Sequence, residues 1–520
     1  MVPKAGPQEQ GGEEEGEEEA KGHTPSLTRK GKRQEGHPQL RTLRYDSRLS
    51  PGKRTMDRRK FFLLTYGCQM NKLDSELIAS RMIQAGFEET EREEEAQVLL
   101  LNTCSIRESA EDRVWGRIGA MKARKKKDPE VIIGVLGCMA QEHKVFLRTR
   151  MPHIDVVCGT REFGRIDALV RESIETRKGV IATGEGGNGD LVQRELSCRP
   201  MRAQAFVNII RGCNMPCTYC IVPATRGPEV SRPVDAIREE VERLVADGVT
   251  EVTLLGQTVN AYGHDLERGT DLALLLRELH QIPALRRISF VTSHPSFLTP
   301  RLMEAMAALP RVSRYFHLPA QSGSNQVLKA MKRGYTRERY LARIRDLKGL
   351  IPEMEFACDF IAGFPGETEE DHRQSLSLIE EVGFSQSFVF KYSPRKGTVS
   401  ADYLRDDVPE EVKARRNQEL LQTQERVSLA RNRAQVGEVR EILVEGPSKT
   451  RKDRYTGRTA RNRIVHFANE DPNLVGRYVP VRIVEAQAHS LIGVLQEETR
   501  TVLEGDGVLA GKGRAEGASQ

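Results

Sequence analysis

The sequence lacks any apolar run that approaches the roughly 20 residues needed to span a bilayer, and 30% of its 520 residues are charged. Its first residues are acidic and Gly-rich, so they resemble neither the apolar core of a secretory signal nor an Arg- and Ser-rich transit segment. We therefore expect no membrane-spanning segment and a cytoplasmic location.

A closely spaced, even set of cysteines is also missing, which excludes a disulfide framework. The nine cysteines are odd in number and widely separated, as in proteins of reducing compartments that bind metals. A chain of this length is expected to form two to four domains. The net charge of +6 is mild, but basic residues gather near the C-terminus and favour a polyanionic partner.

Three cysteines lie together in the run RGCNMPCTYC, at Cys213, Cys217 and Cys220. The C-x3-C-x2-C spacing places three thiolates in one short loop, and thiolates select iron–sulfur clusters or zinc. A structural zinc site needs a fourth Cys or His nearby, and the first histidine after the loop is His264. The pattern favours a [4Fe–4S] cluster with one open iron; a zinc loop or free core thiols remain the alternatives.

Three further cysteines each follow an apolar, strand-like run in the first third of the chain. The runs are separated by helical segments, which predicts a buried parallel sheet. Because the carboxyl ends of parallel strands share one edge, we expect Cys68, Cys104 and Cys138 to meet there. Together they could hold a second three-cysteine cluster, or they could be three small buried hydrophobes.

Six strand candidates, each followed by helix-like sequence, occupy residues 205–394 and predict a partial barrel. Active sites of such barrels lie at the C-terminal ends of the strands, and the three-cysteine loop follows the first of these strands. Polar residues stand in or after the later strands, and Gly363 and Gly366 follow the fifth. Candidate ligand contacts are Gln257, Ser293, Gln321 and Asp359.

The segment after the cysteine loop carries Arg226 and Arg232. Either could contact a phosphate or a carboxylate, or be a solvated loop arginine. Further on, a polar connecting helix is predicted near residues 410–432, and four or five short strands after it predict a small β-barrel. Its basic run, Lys449 to Arg463, holds seven Lys or Arg and one Asp.

The motifs RGCNMPCTYCIVPATRGPEVSR, TYGCQMNKLDSE and HLPAQSGSNQVLKAMKRGYT resemble the radical S-adenosylmethionine tRNA methylthiotransferases, in the branch that acts on N6-isopentenyladenosine. The resemblance spans roughly Lys60 to Glu497. It implies an α/β fold with an N-terminal parallel sheet, a central partial (β/α)6 radical S-adenosylmethionine barrel and a small C-terminal TRAM β-barrel. The expected divisions are a disordered extension (1–58), the methylthiotransferase domain (59–185), the radical core (199–432), the RNA-binding barrel (433–499) and a disordered tail (500–520).

The resemblance implies S-adenosylmethionine and two [4Fe–4S] clusters as cofactors, with no catalytic residue beyond the clusters. Cys213, Cys217 and Cys220 would ligate the cluster that cleaves S-adenosylmethionine, and Cys68, Cys104 and Cys138 an auxiliary cluster that supplies sulfur. Tyr219 would lie near the adenine, although a packing role is nearly as plausible. The residues implied to line the S-adenosylmethionine and substrate cavity are Tyr219, Gln257, Ser293, Gln321 and Asp359.

The implied partner is the anticodon loop of tRNA, with isopentenyladenosine at position 37 as substrate. An electron donor such as flavodoxin and a monomeric state are also expected. Sister families methylthiolate threonylcarbamoyl-adenosine in tRNA or a ribosomal-protein aspartate, but the ribosomal branch usually reads LGCPKN where this chain has YGCQMN. A non-catalytic iron–sulfur RNA-binding module is a further alternative, disfavoured by two complete cysteine triads.

Overall fold

The computed structural model describes residues 59–105, 108–184, 203–448, 451, 453–469 and 471–496. The disorder predicted for 1–58 and 500–520 falls on residues outside these ranges. Within them, no helix is long and apolar enough to cross a membrane.

The N-terminal part is a six-stranded sheet in which every neighbouring pair is parallel, in the order β2-β1-β3-β4-β5-β6. Its strands are β1 (Lys60–Thr65), β2 (Glu88–Glu89), β3 (Val98–Thr103), β4 (Ile132–Gly137), β5 (Val156–Cys158) and β6 (Val180–Ala182). Its helices are α1 (Gln69–Gln84), α2 (Glu108–Lys127), α3 (Cys138–His143), α4 (Val145–Arg150) and α5 (Ile166–Thr176). The predicted parallel sheet is confirmed.

Both faces of this sheet are buried, which explains why its strands read as continuous apolar runs. Leu100 and Leu136 pack in one cluster with the inner sides of α1 and α5. Leu99, Leu101 and Val135 point the other way and pack with α2 and α3. The short strands β5 and β6 complete the sheet and were not predicted.

The central part contains six further parallel strands, arranged in chain order. They are β7 (Gln204–Asn208), β10 (Glu251–Leu255), β11 (Arg287–Phe290), β12 (Tyr315–His317), β13 (Glu355–Ala362) and β14 (Gln386–Lys391). Two three-stranded sheets, β11-β10-β7 and β12-β13-β14, are connected by a parallel bridge between Ile288 and Val312. This arrangement confirms the predicted partial barrel.

A short antiparallel pair, β8 (Ile210–Arg211) with β9 (Val230–Ser231), closes the loop that follows β7. The helices of the central part are α6 (Val222–Arg226), α7 (Val234–Ala246), α8 (Leu272–His280), α9 (Pro300–Ala308), α10 (Asn325–Ala330), α11 (Arg337–Leu350), α12 (Glu369–Val382) and α13 (Val399–Tyr403). The core of this part is one large cluster that includes the buried Cys358.

The predicted connecting helix is α14 (Glu410–Arg433), which runs along the outside of β14 and α12. After it, five strands close into a small barrel in the order β15-β16-β17-β19-β18. They are β15 (Val439–Pro447), β16 (Arg454–Thr459), β17 (Ile464–Ala468), β18 (Tyr478–Ala486) and β19 (Leu491–Leu495). The small C-terminal barrel was therefore predicted correctly.

The C-terminal barrel docks on the central part through buried polar contacts. Arg463 donates to the Glu355 carboxylate over 2.8 Å and to the Ser385 carbonyl over 2.9 Å. Tyr478 places its hydroxyl 3.0 Å from Glu251. The last cation of the basic run, Arg463, is therefore buried against the central part of the chain.

Replacing Glu355 by Ala should destabilise the fold, because it leaves the buried Arg463 cation without its carboxylate partner. Breaking one partner of a buried ion pair typically costs about 3–5 kcal/mol. The matched control is Glu353→Ala, whose side chain is 42% exposed and lies 3.5 Å from Arg314, so that a loss below about 1 kcal/mol is expected. Urea unfolding midpoints of the two variants test this; equal midpoints would mean that the Arg463 contact does not hold the barrel.

Candidate functional site

The loop cysteines (Cys213, Cys217 and Cys220) lie between β8 and β9, at the C-terminal end of the first barrel strand. Gly212 begins the loop with φ of +80°, and a Cβ there would come within 1.9 Å of the Pro228 carbonyl oxygen. Only glycine fits this turn without strain. Its N–H donates to Oε1 of Gln257 over 2.5 Å, so Gln257 anchors the start of the loop.

Each loop cysteine has a different environment. The Cys213 thiol lies 3.3 Å from the Thr258 hydroxyl, and Cys217 accepts a hydrogen bond from the Arg333 guanidinium over 3.3 Å. Burial raises the pKa of Cys213, and it raises that of Cys220 to about 12. Cluster ligation needs thiolates, so a bound cation must displace these protons.

The sheet cysteines (Cys68, Cys104 and Cys138) meet at the carboxyl edge of the N-terminal sheet, as predicted. Cys68 caps α1, Cys104 follows β3 directly and Cys138 opens α3. A Cβ on Gly67 would come within 2.6 Å of Cys104 Cβ, which shows how closely the Cys68 loop lies on Cys104. Asn71 also holds this edge, although nothing in the sequence singled it out. Its amide donates a hydrogen bond to the Thr103 carbonyl, and its Oδ1 accepts one from the Cys68 thiol over 3.3 Å.

The chemistry of the donors favours a cluster over zinc. Each set offers three sulfurs, and sulfur donors suit zinc or iron–sulfur clusters. A structural zinc site takes four protein ligands, whereas within the described ranges the group of potential ligands whose atoms all lie within 4.8 Å of one another is Glu111, Glu142 and His143, without a cysteine. Three thiolates fit a [4Fe–4S] cluster with one open iron.

A cavity of about 30 Å³ lies where the carboxyl edge of the N-terminal sheet meets the segment that follows Cys220. Cys68 and Cys138 line it from the sheet side, while Arg226 and Gln257 line it from the barrel side. Next to it, Met70 and Leu73 of α1 pack on Leu255 at the end of β10. The edge of the N-terminal sheet therefore faces the residues that follow Cys220.

The polar residues at the later strand ends converge on His317. Its Nε2 lies 3.0 Å from Asp359 Oδ1, and its Nδ1 accepts from the Thr292 N–H over 3.2 Å. Nδ1 is therefore the unprotonated nitrogen, and Nε2 donates to the carboxylate. The N–H of Gln321 donates to the Asp359 carbonyl over 2.8 Å. The structure thus brings Gln321 and Asp359 together, next to Ser293, whose N–H donates to the His317 carbonyl.

Two features at these strand ends point to a ligand and were not visible in the sequence. The buried Ser293 hydroxyl has no hydrogen-bond partner among the described residues. Thr292 and Gln321 adopt φ of +65° and +73°, a left-handed conformation that is unfavourable for a β-branched residue. Such strain concentrates at binding and catalytic sites.

Tyr219 packs edge-on against Phe364, with ring centroids 6.4 Å apart. This contact accounts for its burial and supports the packing alternative, while its ring still lies beside the loop cysteines. The backbone of Gly363 lies against the Lys413 side chain, because a Cβ on Gly363 would come within 2.3 Å of Lys413 Cγ. The glycine motif after β13 therefore needs no ligand to explain it.

Arg226 and Arg232 are neither solvated nor free to contact a phosphate. Arg226 donates to Asp74 over 2.7 Å, and both side chains are less than 10% exposed. Arg232 donates to Glu240 over 2.6 Å. Both arginines therefore contact carboxylates, as one of the predicted alternatives had it, but these carboxylates are side chains of the protein itself.

Three families match consecutive parts of the chain. The Uncharacterized protein family UPF0004 matches residues 60–159, the Radical SAM superfamily matches 207–379, and the TRAM domain matches 433–495. The sheet cysteines fall within the first match and the loop cysteines within the second.

Curated relatives match over nearly their entire length. A tRNA-2-methylthio-N(6)-dimethylallyladenosine synthase of Carboxydothermus hydrogenoformans is 43% identical over 442 residues, which cover 85% of this chain and 100% of the relative. The protein of the same name from Moorella thermoacetica is 44% identical over 438 residues, covering 84% and 98%. This chain belongs to the tRNA-2-methylthio-N(6)-dimethylallyladenosine synthase family.

Solved structures similar to this family member are more distant. The radical S-adenosylmethionine methyltransferase TsrM from Kitasatospora setae, with cobalamin and a [4Fe–4S] cluster bound, aligns with a TM-score of 0.48 and 14% identity over 66% of this chain and 77% of its own. The cobalamin-dependent S-adenosylmethionine radical enzyme OxsB aligns with a TM-score of 0.46 and 12% identity, over 71% and 56%. The family assignment depends on neither alignment.

We expect Gln257→Leu in this synthase-family chain to loosen the cysteine loop, because it removes the acceptor of the Gly212 N–H. Leaving a buried donor unsatisfied costs about 1–3 kcal/mol, so amide exchange of the peptide containing Gly212 should accelerate about 10-fold or more. The control Gln257→Glu keeps an acceptor and should exchange at nearly the parent rate. Hydrogen exchange with mass spectrometry measures both, and equal protection in the Leu variant would refute the anchoring role.

Proposed function

We propose that this protein is a radical S-adenosylmethionine tRNA methylthiotransferase, which converts N6-isopentenyladenosine at position 37 of tRNA to its 2-methylthio derivative. The observation that carries the proposal is the presence of two complete cysteine sets, one at the carboxyl edge of the N-terminal sheet and one in the loop after the first barrel strand, with the sheet edge packed against the segment that follows Cys220. Relatives at 43–44% identity bear the corresponding synthase name. The sister activities on threonylcarbamoyl-adenosine or a ribosomal-protein aspartate are not favoured by these relatives.

The loop cysteines would hold the [4Fe–4S] cluster that is common to radical S-adenosylmethionine proteins, and the sheet cysteines a second one. When bound, the clusters supply the electron that cleaves S-adenosylmethionine and the sulfur that is inserted. The unactivated C2–H bond of adenine explains the need for radical chemistry. The domain division 59–185, 199–432 and 433–499 assigns sulfur supply, cleavage and RNA binding to separate parts.

The protein's own residues orient the reactants and exclude water. Gln257 fixes the start of the cysteine loop, and the Arg333 guanidinium places its positive charge beside Cys217. At the later strand ends, Ser293, Gln321 and Asp359 would contact S-adenosylmethionine or the adenosine. His317 holds the Asp359 carboxylate by donating from Nε2, which leaves the second carboxylate oxygen for a ligand.

The C-terminal barrel would hold tRNA, and a cytoplasmic location, a monomeric state and an electron donor such as flavodoxin complete the proposal. The direct test is mass spectrometry of nucleosides from isopentenylated tRNA incubated with anaerobically reconstituted protein, S-adenosylmethionine and reductant. The expected product is the 2-methylthio nucleoside. Absence of this product, with intact clusters and S-adenosylmethionine cleavage, would reject the substrate assignment.

The two cysteine sets should have separable effects. Replacing Cys213, Cys217 and Cys220 together by Ala should halve an iron content of about eight per chain and abolish 5′-deoxyadenosine release. Cys104→Ala should still release 5′-deoxyadenosine but yield no methylthio product, because the radical site is unaltered. Buried Cys358→Ala is the control, since it removes a thiol from the core and no ligand. Full product from the Cys104 variant would exclude the sheet cysteines as sulfur donors.

Deleting the C-terminal barrel from about Gly437 should weaken tRNA binding and flatten its salt dependence. The deletion also removes Arg463, however, and leaves Glu355 without that partner. Charge removal is a cleaner test: Arg451, Arg454 and Arg461 changed together to Gln leave Arg463 in place. Each lost phosphate contact should flatten the log–log salt slope of binding by about one unit. Fluorescence anisotropy across a salt series measures the slope, with Arg373→Gln on α12 as control. An unchanged slope in the triple variant would place the RNA contact elsewhere.

A further inference from the structure

A buried ion pair connects the segments that follow the two cysteine sets. Arg226 ends α6, the short helix after Cys220, and Asp74 lies in α1, the helix after Cys68. The Nη2–Oδ2 distance is 2.7 Å, and the side chains are 5% and 9% exposed. The pair therefore lies at the boundary between the N-terminal sheet and the barrel, beside the cavity that Cys68 and Cys138 line.

Arg226 also lies beside the sheet cysteines. It lines the cavity of about 30 Å³ that Cys68 and Cys138 line from the sheet side. Because a guanidinium does not lose its proton in proteins, Arg226 is a fixed positive charge next to these two cysteines.

Stability alone is a weak reason for this pair. Desolvating two charges costs several kcal/mol per ion, and well-packed apolar residues of the same volume would stabilise a fold equally well. A guanidinium has five N–H donors in a fixed plane, so the single bond to Asp74 leaves donors for a ligand in the cavity that Cys68 and Cys138 also line. Arg161 and Arg211 add positive charge nearby, since both Arg161 and Arg226 help burial to lower the pKa of Arg211.

We propose that Arg226, oriented by Asp74, is a positioning residue that donates hydrogen bonds and positive charge to the sulfurs of a cluster on the sheet cysteines, and so raises its midpoint potential. The inference rests on the proposed function, in which these cysteines bind a cluster. Hydrogen bonds to the sulfurs and nearby charge set the potential of such clusters. A cation stabilises the reduced state, which carries one more negative charge, and Asp74 moderates that effect.

The test uses three single substitutions in the full-length protein with both clusters. Arg226→Gln should shift the midpoint potential of the sheet cluster to a more negative value. Asp74→Asn should shift it in the opposite direction, because the guanidinium charge is then shared with no carboxylate. Arg226→Lys, which keeps the charge but loses the planar donors, should restore part of the shift. Redox titrations followed by electron paramagnetic resonance give the potentials, and the Cys213, Cys217 and Cys220 triple Ala variant assigns the signals.

The possible results separate this inference from simpler ones. If the ion pair only stabilises the contact between the sheet and the barrel, Arg226→Gln and Asp74→Asn will both unfold at a lower urea concentration, and neither will shift the midpoint potential. Shifts of the same sign in the Gln and Asn variants would indicate general loosening and would also overturn the proposal. If the parent protein binds a single cluster, on the loop cysteines, the proposed function itself fails, whereas two clusters with unaltered potentials reject only the role of Arg226.

Discussion

The contact between the carboxyl edge of the N-terminal sheet and the mouth of the partial barrel is the constraint on which the rest of the structure depends. Each cysteine set is formed within its own part of the chain, and the proposed reaction requires the two parts to be held together. Helix α1 provides that contact, because it begins directly after Cys68 and packs Met70 and Leu73 on Leu255 of the barrel. The same helix supplies Asp74 to Arg226.

Buried arginines accompany both cysteine sets, and electrostatics explains why. A cluster with three thiolates is anionic, and burying an anion without a compensating cation is costly. Arg333 lies against Cys217, and Arg226 lines one cavity with Cys68 and Cys138. The nearest partners of Arg333 are Cys217, the Tyr335 hydroxyl and the Pro319 carbonyl, so its charge is matched by sulfur and not by a carboxylate. A cluster at the loop would complete that balance.

Much of the fold could be predicted from the sequence, because the pattern of apolar residues indicates the strands and the spacing of the cysteines indicates where they lie. Continuous apolar runs predicted the parallel sheet, and the positions of Cys68, Cys104 and Cys138 after three strands predicted that they meet. Pairing across long sequence distances could not be predicted. Nothing in the sequence shows that Arg226 finds Asp74, 152 residues away, or that a threonine before Ser293 adopts a left-handed conformation, since both follow from tertiary packing.

The basic run of the C-terminal barrel shows why counting charges does not locate an RNA surface. All seven cations appear equivalent in the sequence, yet Arg463 is buried on Glu355 and Arg458 pairs with the half-buried Glu445. An arginine that already neutralises a buried carboxylate has little to gain from a phosphate, because breaking the first contact costs as much as the second returns. Arg451, whose partner Asp453 is exposed, and the partly exposed Arg454 and Arg461 face little such cost. The charge that fixes the barrel on the core and the charge left to attract RNA are therefore carried by different residues of one short segment.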